Sequence, residues 1–125
     1  MTQTATSITQ VGTVIVPVSD QEKALEFYVG TLGLEVRRDM PFGEGRWIEV
    51  APPGADTTIA LISSNQLPKG AEVSLRTRDA DDTHAQLLAR GVDADPEVLR
   101  MGEYVPPMFT FRDPDGNRFR MVQAG

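Results

Sequence analysis

The stretch that decides the fold lies near the end of the chain and reads Arg112-Asp113-Pro114-Asp115-Gly116-Asn117-Arg118-Phe119-Arg120-Met121-Val122. Pro114 presets the backbone φ angle that opens a turn, and Gly116 readily adopts the positive φ that closes one. The flanking residues, 108–111 and 118–123, alternate between apolar and polar side chains, which is typical of strands. We therefore predict that these two segments pair as a β-hairpin.

Upstream of the hairpin, the second half of the chain predicts a strand, a helix and a weak strand. The strand covers residues 72–76, and the weak strand covers residues 97–100. Asp79 is placed to cap the helix, whose buried side is expected to include Ala80, Leu87 and Leu88. Gly91 is expected to end that helix in a left-handed conformation. With the hairpin, this half reads strand–helix–strand–strand–strand.

The first half predicts the same order of elements. A strand at residues 11–16 is followed by Ser19-Asp20-Gln21-Glu22, a capping box in which Ser19 bonds the Glu22 N–H. The helix runs to about Thr31 and ends at Gly33. The buried stripe of this helix is predicted to be Ala24, Leu25, Tyr28 and Leu32. We then predict a strand at 34–38, a Pro/Gly loop at 40–45 and a strand at 46–51. A turn at 52–56, a strand at 57–62 and a linker at 63–70 follow.

The two halves form an internal repeat. Asp20 and Asp79 cap equivalent helices, and Thr13 and Glu72 lie at equivalent places in the first strands. Ala60 and Arg120 likewise correspond in the fourth strands. The predicted fold class is α+β: one domain over residues 1–125, with a first βαβββ module at 9–62 and a second at 71–123.

Strand alternation gives each sheet two faces. One face is expected to pack on the helices, and its apolar members are Val14, Val16, Ile59, Leu61, Val73, Leu75, Phe109, Phe111, Phe119 and Met121. We call the other face the site face, and it comprises Thr13, Ile15, Thr58, Ala60, Ile62, Glu72, Ser74, Arg76, Met108, Thr110, Arg118, Arg120 and Val122, with Trp47 and Glu49 expected to join it. Its mixture of polar, charged and apolar groups is typical of a ligand cavity rather than a dry core.

Composition excludes several classes of function. The net charge is −6 and no basic patch is evident, which argues against a nucleic-acid partner. The chain has no cysteine, so it forms no disulfide and uses no thiolate, and a cytoplasmic location is expected. Neither a signal peptide nor a membrane-spanning run is evident. No Gly-x-Ser-x-Gly elbow and no phosphate-binding glycine loop are found.

The chain resembles the vicinal oxygen chelate superfamily, which includes glyoxalase I, extradiol dioxygenases, fosfomycin-resistance thiol transferases and bleomycin-resistance proteins. The resemblance lies in residues 13–20, in Ala24-Leu25-Glu26-Phe27-Tyr28, in Leu32-Gly33-Leu34, in Arg90-Gly91-Val92 and in Phe111-Arg112-Asp113-Pro114-Asp115-Gly116-Asn117. It implies two βαβββ modules whose sheets curl around a shared cavity, usually completed by dimerisation. It also implies a divalent metal held by the first and fourth strands.

The positions that correspond to the family's metal ligands are Thr13, Ala60, Glu72 and Arg120. Thr and Ala are poor ligands, and the guanidinium of Arg120 offers only donors. One carboxylate does not build a zinc or iron site. The single histidine, His84, lies mid-helix and is expected to be structural. We therefore expect neither a metal nor another cofactor, although a register shift that moved Glu49 into the site would leave some chance of metal binding.

The site face suggests what replaces the metal. Glu72 and Arg120 are expected to form a charge pair, either partly buried and strong or a weak salt bridge at the rim. Arg76 and Arg118 add positive charge that favours an anionic ligand, unless they simply extend into solvent. Trp47, Tyr104 and Met108 are expected to form an apolar wall, unless they serve the core or a dimer interface. In chain order, the expected ligand-binding residues are Thr13, Trp47, Glu49, Ala60, Glu72, Ser74, Arg76, Tyr104, Met108, Arg118 and Arg120.

Three hypotheses remain from the sequence. The leading one is a homodimeric, metal-independent protein that binds a small molecule, similar to the bleomycin-resistance branch in which an antibiotic is sequestered. The second is a lyase, isomerase or dioxygenase with a degenerate metal site. The third is a dimerisation or regulatory module with a vestigial cavity. Net acidity favours a cationic ligand, whereas the arginines favour an anionic one, and the sequence leaves that conflict open.

Overall fold

A computed structural model of the chain describes residues 10–63 and 72–124. Most of the predicted linker at 63–70 therefore lies outside the described residues. The elements run in the order β1 (Thr13–Val18), α1 (Gln21–Leu25) continued by a π-helical stretch (Glu26–Thr31), β2 (Glu35–Phe42), β3 (Gly45–Ala51), β4 (Thr58–Ser63), β5 (Glu72–Thr77), α2 (Ala80–Ala89), β6 (Asp93–Ala94), β7 (Met108–Arg112) and β8 (Arg118–Gln123).

The two βαβββ modules are confirmed. Each forms a four-stranded mixed sheet, with strand order β1-β4-β3-β2 in the first module and β5-β8-β7-β6 in the second. The pairs β1/β4 and β5/β8 are parallel, and the other pairs are antiparallel. The hairpin of β7 and β8 forms as predicted, and Gly116 closes its turn with a φ of 85°. The α+β fold class is therefore correct.

The predicted packing faces meet in one core. Phe109, Phe111, Phe119 and Met121 of the second module are buried together with strand and helix residues of the first. The buried members of this core, listed from the N-terminal end, are Val16, Val18, Ala24, Tyr28, Ile48, Val50, Ile59, Leu61, Leu87, Val92, Phe109, Phe111, Phe119 and Met121. Because one cluster draws on both modules, the helix-facing sides of the sheets lie inward.

A buried polar cluster joins the turn between β7 and β8 to the first module. The Tyr28 hydroxyl donates to Asp113 Oδ2 at 2.6 Å. The Asn117 side-chain amide donates to the same Oδ2 at 2.8 Å and to the Pro17 carbonyl at 2.9 Å. We call Tyr28, Asp113 and Asn117 the inter-module latch. Burial, followed by the hydrogen bond to Asp113, raises the pKa of Tyr28 above its ordinary value, so its phenol remains a donor.

Two helix predictions need correction. The repeat correctly assigned the cap of α1 to Asp20, whose carboxylate accepts from the backbone N–H groups of Glu22 and Lys23, whereas the capping box centred on Ser19 was wrong. The helix does extend to Thr31, as expected, although its second part is π-helical. Asp79 caps α2 as predicted. Leu88 is exposed rather than buried, since the inward face of α2 is occupied by Ala80, His84 and Leu87.

Two strand boundaries were also wrong. The predicted loop at 40–45 is largely strand, because β2 continues to Phe42 and the turn is confined to Gly43 and Glu44. Pro41 is tolerated there because β2 is an edge strand. The weak strand predicted at 97–100 is not formed, and β6 is instead the two-residue segment Asp93–Ala94. Only Leu99 of the predicted segment makes a bridge, to Met108.

Candidate functional site

The site face of the first module is arranged in cross-strand rows. Thr13 on β1 lies opposite Thr58 on β4, and Ala60 on β4 lies opposite Glu49 on β3. Arg38 on β2 lies opposite Glu49 on its other side. Directly opposed residues in neighbouring strands have side chains close enough to interact. The register therefore places Glu49 on the site face, next to Ala60, as the sequence predicted.

A chain of hydrogen bonds crosses this face and ends on Glu49. The hydroxyls of Thr13 and Thr58 are 2.9 Å apart, and Thr58 donates to Glu49 Oε1 at 2.8 Å. The indole N–H of Trp47 donates to Glu49 Oε2 at 2.6 Å. Both carboxylate oxygens therefore have a donor, which fixes the orientation of the Glu49 side chain.

The same donors determine the charge state of Glu49. The hydrogen bond from Trp47 is the largest influence and lowers the pKa of Glu49 below its ordinary value. Partial desolvation acts in the opposite direction, and the hydrogen bond from Thr58 and the charge of Arg38 add to the lowering. Glu49 is consequently an ionised, fixed anion at neutral pH, with only 16% of its side chain exposed.

A cavity of about 300 Å³ opens beside this carboxylate. Its walls include Met40 and Phe42 of β2 and Trp47 of β3. The rings of Phe42 and Trp47 meet edge to face, with centroids 5.3 Å apart. We call this space the aromatic cavity, and it is lined by Arg38, Met40, Pro41, Phe42, Trp47 and Glu49.

Sequence reasoning missed Met40 and Phe42 as site residues because it placed residues 40–45 in a loop, and it assigned Arg38 to a strand without placing it on a face. The signal was present, since Arg38, Met40 and Phe42 alternate as residues on one face of a strand do. Pro41 and the following glycines obscured it. The register shift between Val36 and Arg38 then carries these side chains to the row of Trp47 and Glu49.

The site face of the second module carries the expected charge pair. Arg120 Nη2 lies 3.0 Å from Glu72 Oε1, with 46% and 47% of the two side chains exposed. The pair is diagonal, because the register places Arg118 opposite Glu72 and Arg120 opposite Ser74. An ion pair this exposed is largely solvated, so in the single chain it is the weak salt bridge rather than the buried one.

The other predicted site residues of the second module are dispersed. Ser74 and Arg76 line a cavity of about 490 Å³ between the two modules, to which Thr58 also contributes. Arg118 is exposed, and Met108 lies half-buried on β7 opposite Val122. The three arginines are therefore not gathered in one of the described cavities with Glu49.

The predicted apolar wall is not formed by the described residues within one chain. Tyr104 lies in the loop before β7 with 91% of its surface exposed, whereas Trp47 packs on Phe42 in the first module. His84 has the structural place expected of it: its Nε2 lies 2.7 Å from the Asp95 carbonyl oxygen, and its ring meets that of Phe109 edge to face.

The family's metal does not fit the residues present. Thr13 and Ala60 lie on the first module, while Glu72 and Arg120 are paired with each other on the second. Within residues 10–63 and 72–124, no three His, Cys, Asp or Glu side chains are grouped so as to hold a metal ion. The Glu49 carboxylate already accepts two hydrogen bonds from neutral donors.

Among the helices of residues 10–63 and 72–124, none is long and apolar enough to cross a bilayer.

Comparisons with known proteins agree on one family. A model of the Glyoxalase/Bleomycin resistance protein/Dioxygenase superfamily matches residues 10–121. TnmS3, an antibiotic binding protein from Streptomyces sp. CB03234, is 40% identical, with a TM-score of 0.85 over 97% of this chain and 100% of TnmS3. A superfamily member from Sphaerobacter thermophilus DSM 20745 is 38% identical, with a TM-score of 0.84 over 94% of this chain and 98% of its own. YetH, an uncharacterized protein of Bacillus subtilis (strain 168), is 35% identical over 93% of this chain and 99% of YetH.

Proposed function

This chain belongs to the Glyoxalase/Bleomycin resistance protein/Dioxygenase superfamily, and we propose that it binds a small organic ligand, without a metal ion, in the aromatic cavity of its first module. The observation that carries the proposal is the open cavity walled by Trp47 and Phe42 beside a carboxylate fixed by two donors. Aromatic walls with a few well-placed polar groups are typical of sites for small organic molecules.

The ligand class that we propose is an antibiotic or a related natural product with a planar part. TnmS3 is described as an antibiotic binding protein, and it is 40% identical to this chain over nearly the whole of both. Binding without chemical change fits the donor set, because Thr13, Ala60 and Arg120 offer no ligand set for a divalent ion. The proposed role is therefore sequestration of the ligand in the cytoplasm.

We also propose that the protein works as a homodimer. Large apolar side chains are exposed on both modules, among them Phe42 on β2, with 56% of its surface exposed, and Tyr104 in the loop before β7. The exposed members are listed here: Val11, Ile15, Val36, Met40, Phe42, Leu88, Leu99, Met101 and Tyr104. Contiguous exposed apolar surface is typical of an interface. Sedimentation equilibrium should give twice the chain mass of 13.7 kDa, and Met101→Asp should shift the protein toward the monomer.

A pair of thermal-shift screens tests the proposal. In the first, antibiotics with planar aromatic parts are added, and a ligand at a hundred times its Kd should raise the free energy of unfolding by about 2.7 kcal/mol. In the second, Ni, Zn, Mn and Fe ions are added, and none should stabilise the protein. Stabilisation by a metal would favour the enzyme hypothesis, and silence in both screens would favour a structural module.

A matched pair of variants locates the site. Trp47→Ala removes the aromatic wall and should abolish ligand-induced stabilisation. Tyr104→Ala removes an aromatic side chain of the second module that lines none of the described cavities, and it should retain stabilisation in the single chain. If Tyr104→Ala loses binding as completely as Trp47→Ala, the ligand contacts the loop before β7, and the cavity as proposed is incomplete.

A further inference from the structure

Among the described residues, the carboxylate of Glu49 has one cationic partner, and that partner lies at the limit of salt-bridge distance. Its two oxygens accept from neutral donors, the indole of Trp47 and the hydroxyl of Thr58. Within residues 10–63 and 72–124, the one cation that reaches it is Arg38, whose Nε lies 4.0 Å from Oε2. That distance is beyond hydrogen-bond range, and most of the Arg38 side chain is in water. Ionised groups that are mostly buried are normally paired with an opposite charge.

The surroundings of this carboxylate suit one kind of counterion. Trp47 and Phe42 meet edge to face, so an approaching group can lie over the face of one ring while touching the edge of the other. Aromatic faces attract cations, and tryptophan attracts them most strongly. The thioether of Met40 adds an apolar, uncharged group to the same wall. A carboxylate next to an aromatic face therefore offers an ammonium group an opposite charge and a cation–π contact together.

We infer that the ligand of the aromatic cavity carries a positively charged amino group, which binds to Glu49 while the adjoining apolar part of the ligand stacks on Trp47. This inference rests on the proposed function and adds the charge of the ligand. It also answers the conflict left by the sequence. The arginines that suggested an anionic ligand lie elsewhere: Arg120 is paired with Glu72, and Arg76 lines the cavity between the modules.

Arg38 affects how strongly the aromatic cavity binds a cation. It shares the cavity with Glu49 and repels a cationic ligand, but its exposed side chain can swing into solvent at little cost. Arg38→Gln should therefore strengthen the binding of a cation. If Arg38 instead served to bind an anion, the same substitution would weaken binding and favour the opposite charge.

The test uses three biphenyl probes that share one aromatic frame and carry a substituent of different charge: para-phenylbenzylamine, para-phenylbenzyl alcohol and para-phenylbenzoate. Trp47 is the single tryptophan of the chain, so quenching of its fluorescence reports directly on this cavity. We expect the amine to bind about tenfold more tightly than the alcohol, and the carboxylate to bind most weakly. Glu49→Gln should remove the preference for the amine, so that the amine and the alcohol bind the variant with equal affinity.

Glu44→Gln is the matched control, since it removes one carboxylate from the neighbouring turn without touching the aromatic cavity. It should keep the preference for the amine. Equal affinities for amine and alcohol, or a preference that survives Glu49→Gln, would overturn the inference. The inference is also overturned if the preference is absent because an arginine of a second copy of the chain neutralises Glu49. If the probes bind with equal affinity, only the inference fails. If no probe binds, the proposed ligand cavity fails with it.

Discussion

The two modules have the same strand order, but their site faces are filled in opposite ways. In the first module, Thr58 and Ala60 are buried and Glu49 is fixed by hydrogen bonds. In the second, Glu72 and Arg120 occupy the positions that correspond to Thr13 and Ala60 and are half-exposed. One backbone plan therefore supports a preorganised cavity on one side and a solvated charge pair on the other.

The turns before the last strands differ in the same way. The turn at 113–117 sends the side chains of Asp113 and Asn117 into the first module. The corresponding turn at 52–56 offers backbone carbonyls, Pro52 O and Ala55 O, to Arg37 of its own module. The repeat is therefore asymmetric, since the second module supplies the buried latch and the first supplies the cavity. The predictions below test this division of roles.

The largest expected effect comes from the latch. Asp113→Ala removes the acceptor of Tyr28 and of the Asn117 amide, as well as the acceptor of the backbone N–H groups of Asp115 and Asn117. Because these donors are mostly buried, we expect a loss of about 3–5 kcal/mol in the free energy of unfolding. Urea unfolding followed by circular dichroism measures it. Asp56→Ala, in the exposed turn of the first module, should change it by about 0.5 kcal/mol or less.

Tyr28→Phe tests the same latch through pH. At neutral pH it should cost about 1–2 kcal/mol, because the hydrogen bond to Asp113 is lost. The folded protein keeps the phenol protonated well above its ordinary pKa of 10.0, whereas the unfolded chain ionises there. The stability contributed by the Tyr28 hydroxyl is therefore complete below that pH and decreases above it by about 1.4 kcal/mol per pH unit. A wild-type advantage over Tyr28→Phe that stays constant at high pH would contradict this burial.

Thr58→Val tests whether the first site face is preorganised. The substitution keeps the shape of the side chain but removes the hydroxyl between Thr13 and Glu49. We expect a loss of about 1 kcal/mol in the free energy of unfolding. Arg118 lies at the corresponding place in the second module, opposite Glu72. Arg118→Ala should change stability by about 0.5 kcal/mol or less, and equal effects of the two substitutions would remove the contrast between the faces.

The smallest effect is expected at the charge pair. Arg120→Ala should lower the free energy of unfolding by less than about 1 kcal/mol, because both partners are half-exposed and screened by solvent. Added salt should reduce even that difference. A loss as large as about 3–5 kcal/mol would mean that the pair is buried in the working protein, as it would be inside a dimer. Thermal unfolding at low and high salt distinguishes these results.

Several features followed from the sequence because they depend on local chemistry. Gly33, Gly91 and Gly116 adopt the positive φ expected of them, and Asp79 caps α2 as predicted. Alternation correctly assigned Phe119 and Met121 to the core and Arg120 to the other face. The errors arose where tertiary context outweighed local signals, as in β2, which an edge position allows to continue through Pro41.

The sequence by itself determined the repeated βαβββ plan, the packing faces and the mismatch between Arg120 and a metal site, since turn chemistry and side-chain period are local properties. Only the tertiary structure decided that Glu49 bonds Trp47 and Thr58, that Met40 and Phe42 wall the cavity, and that Arg120 is half-exposed. Those facts depend on register, on a shift within β2 and on how one module packs on the other. Such relations are set by how neighbouring strands align, and no periodicity within one strand encodes them.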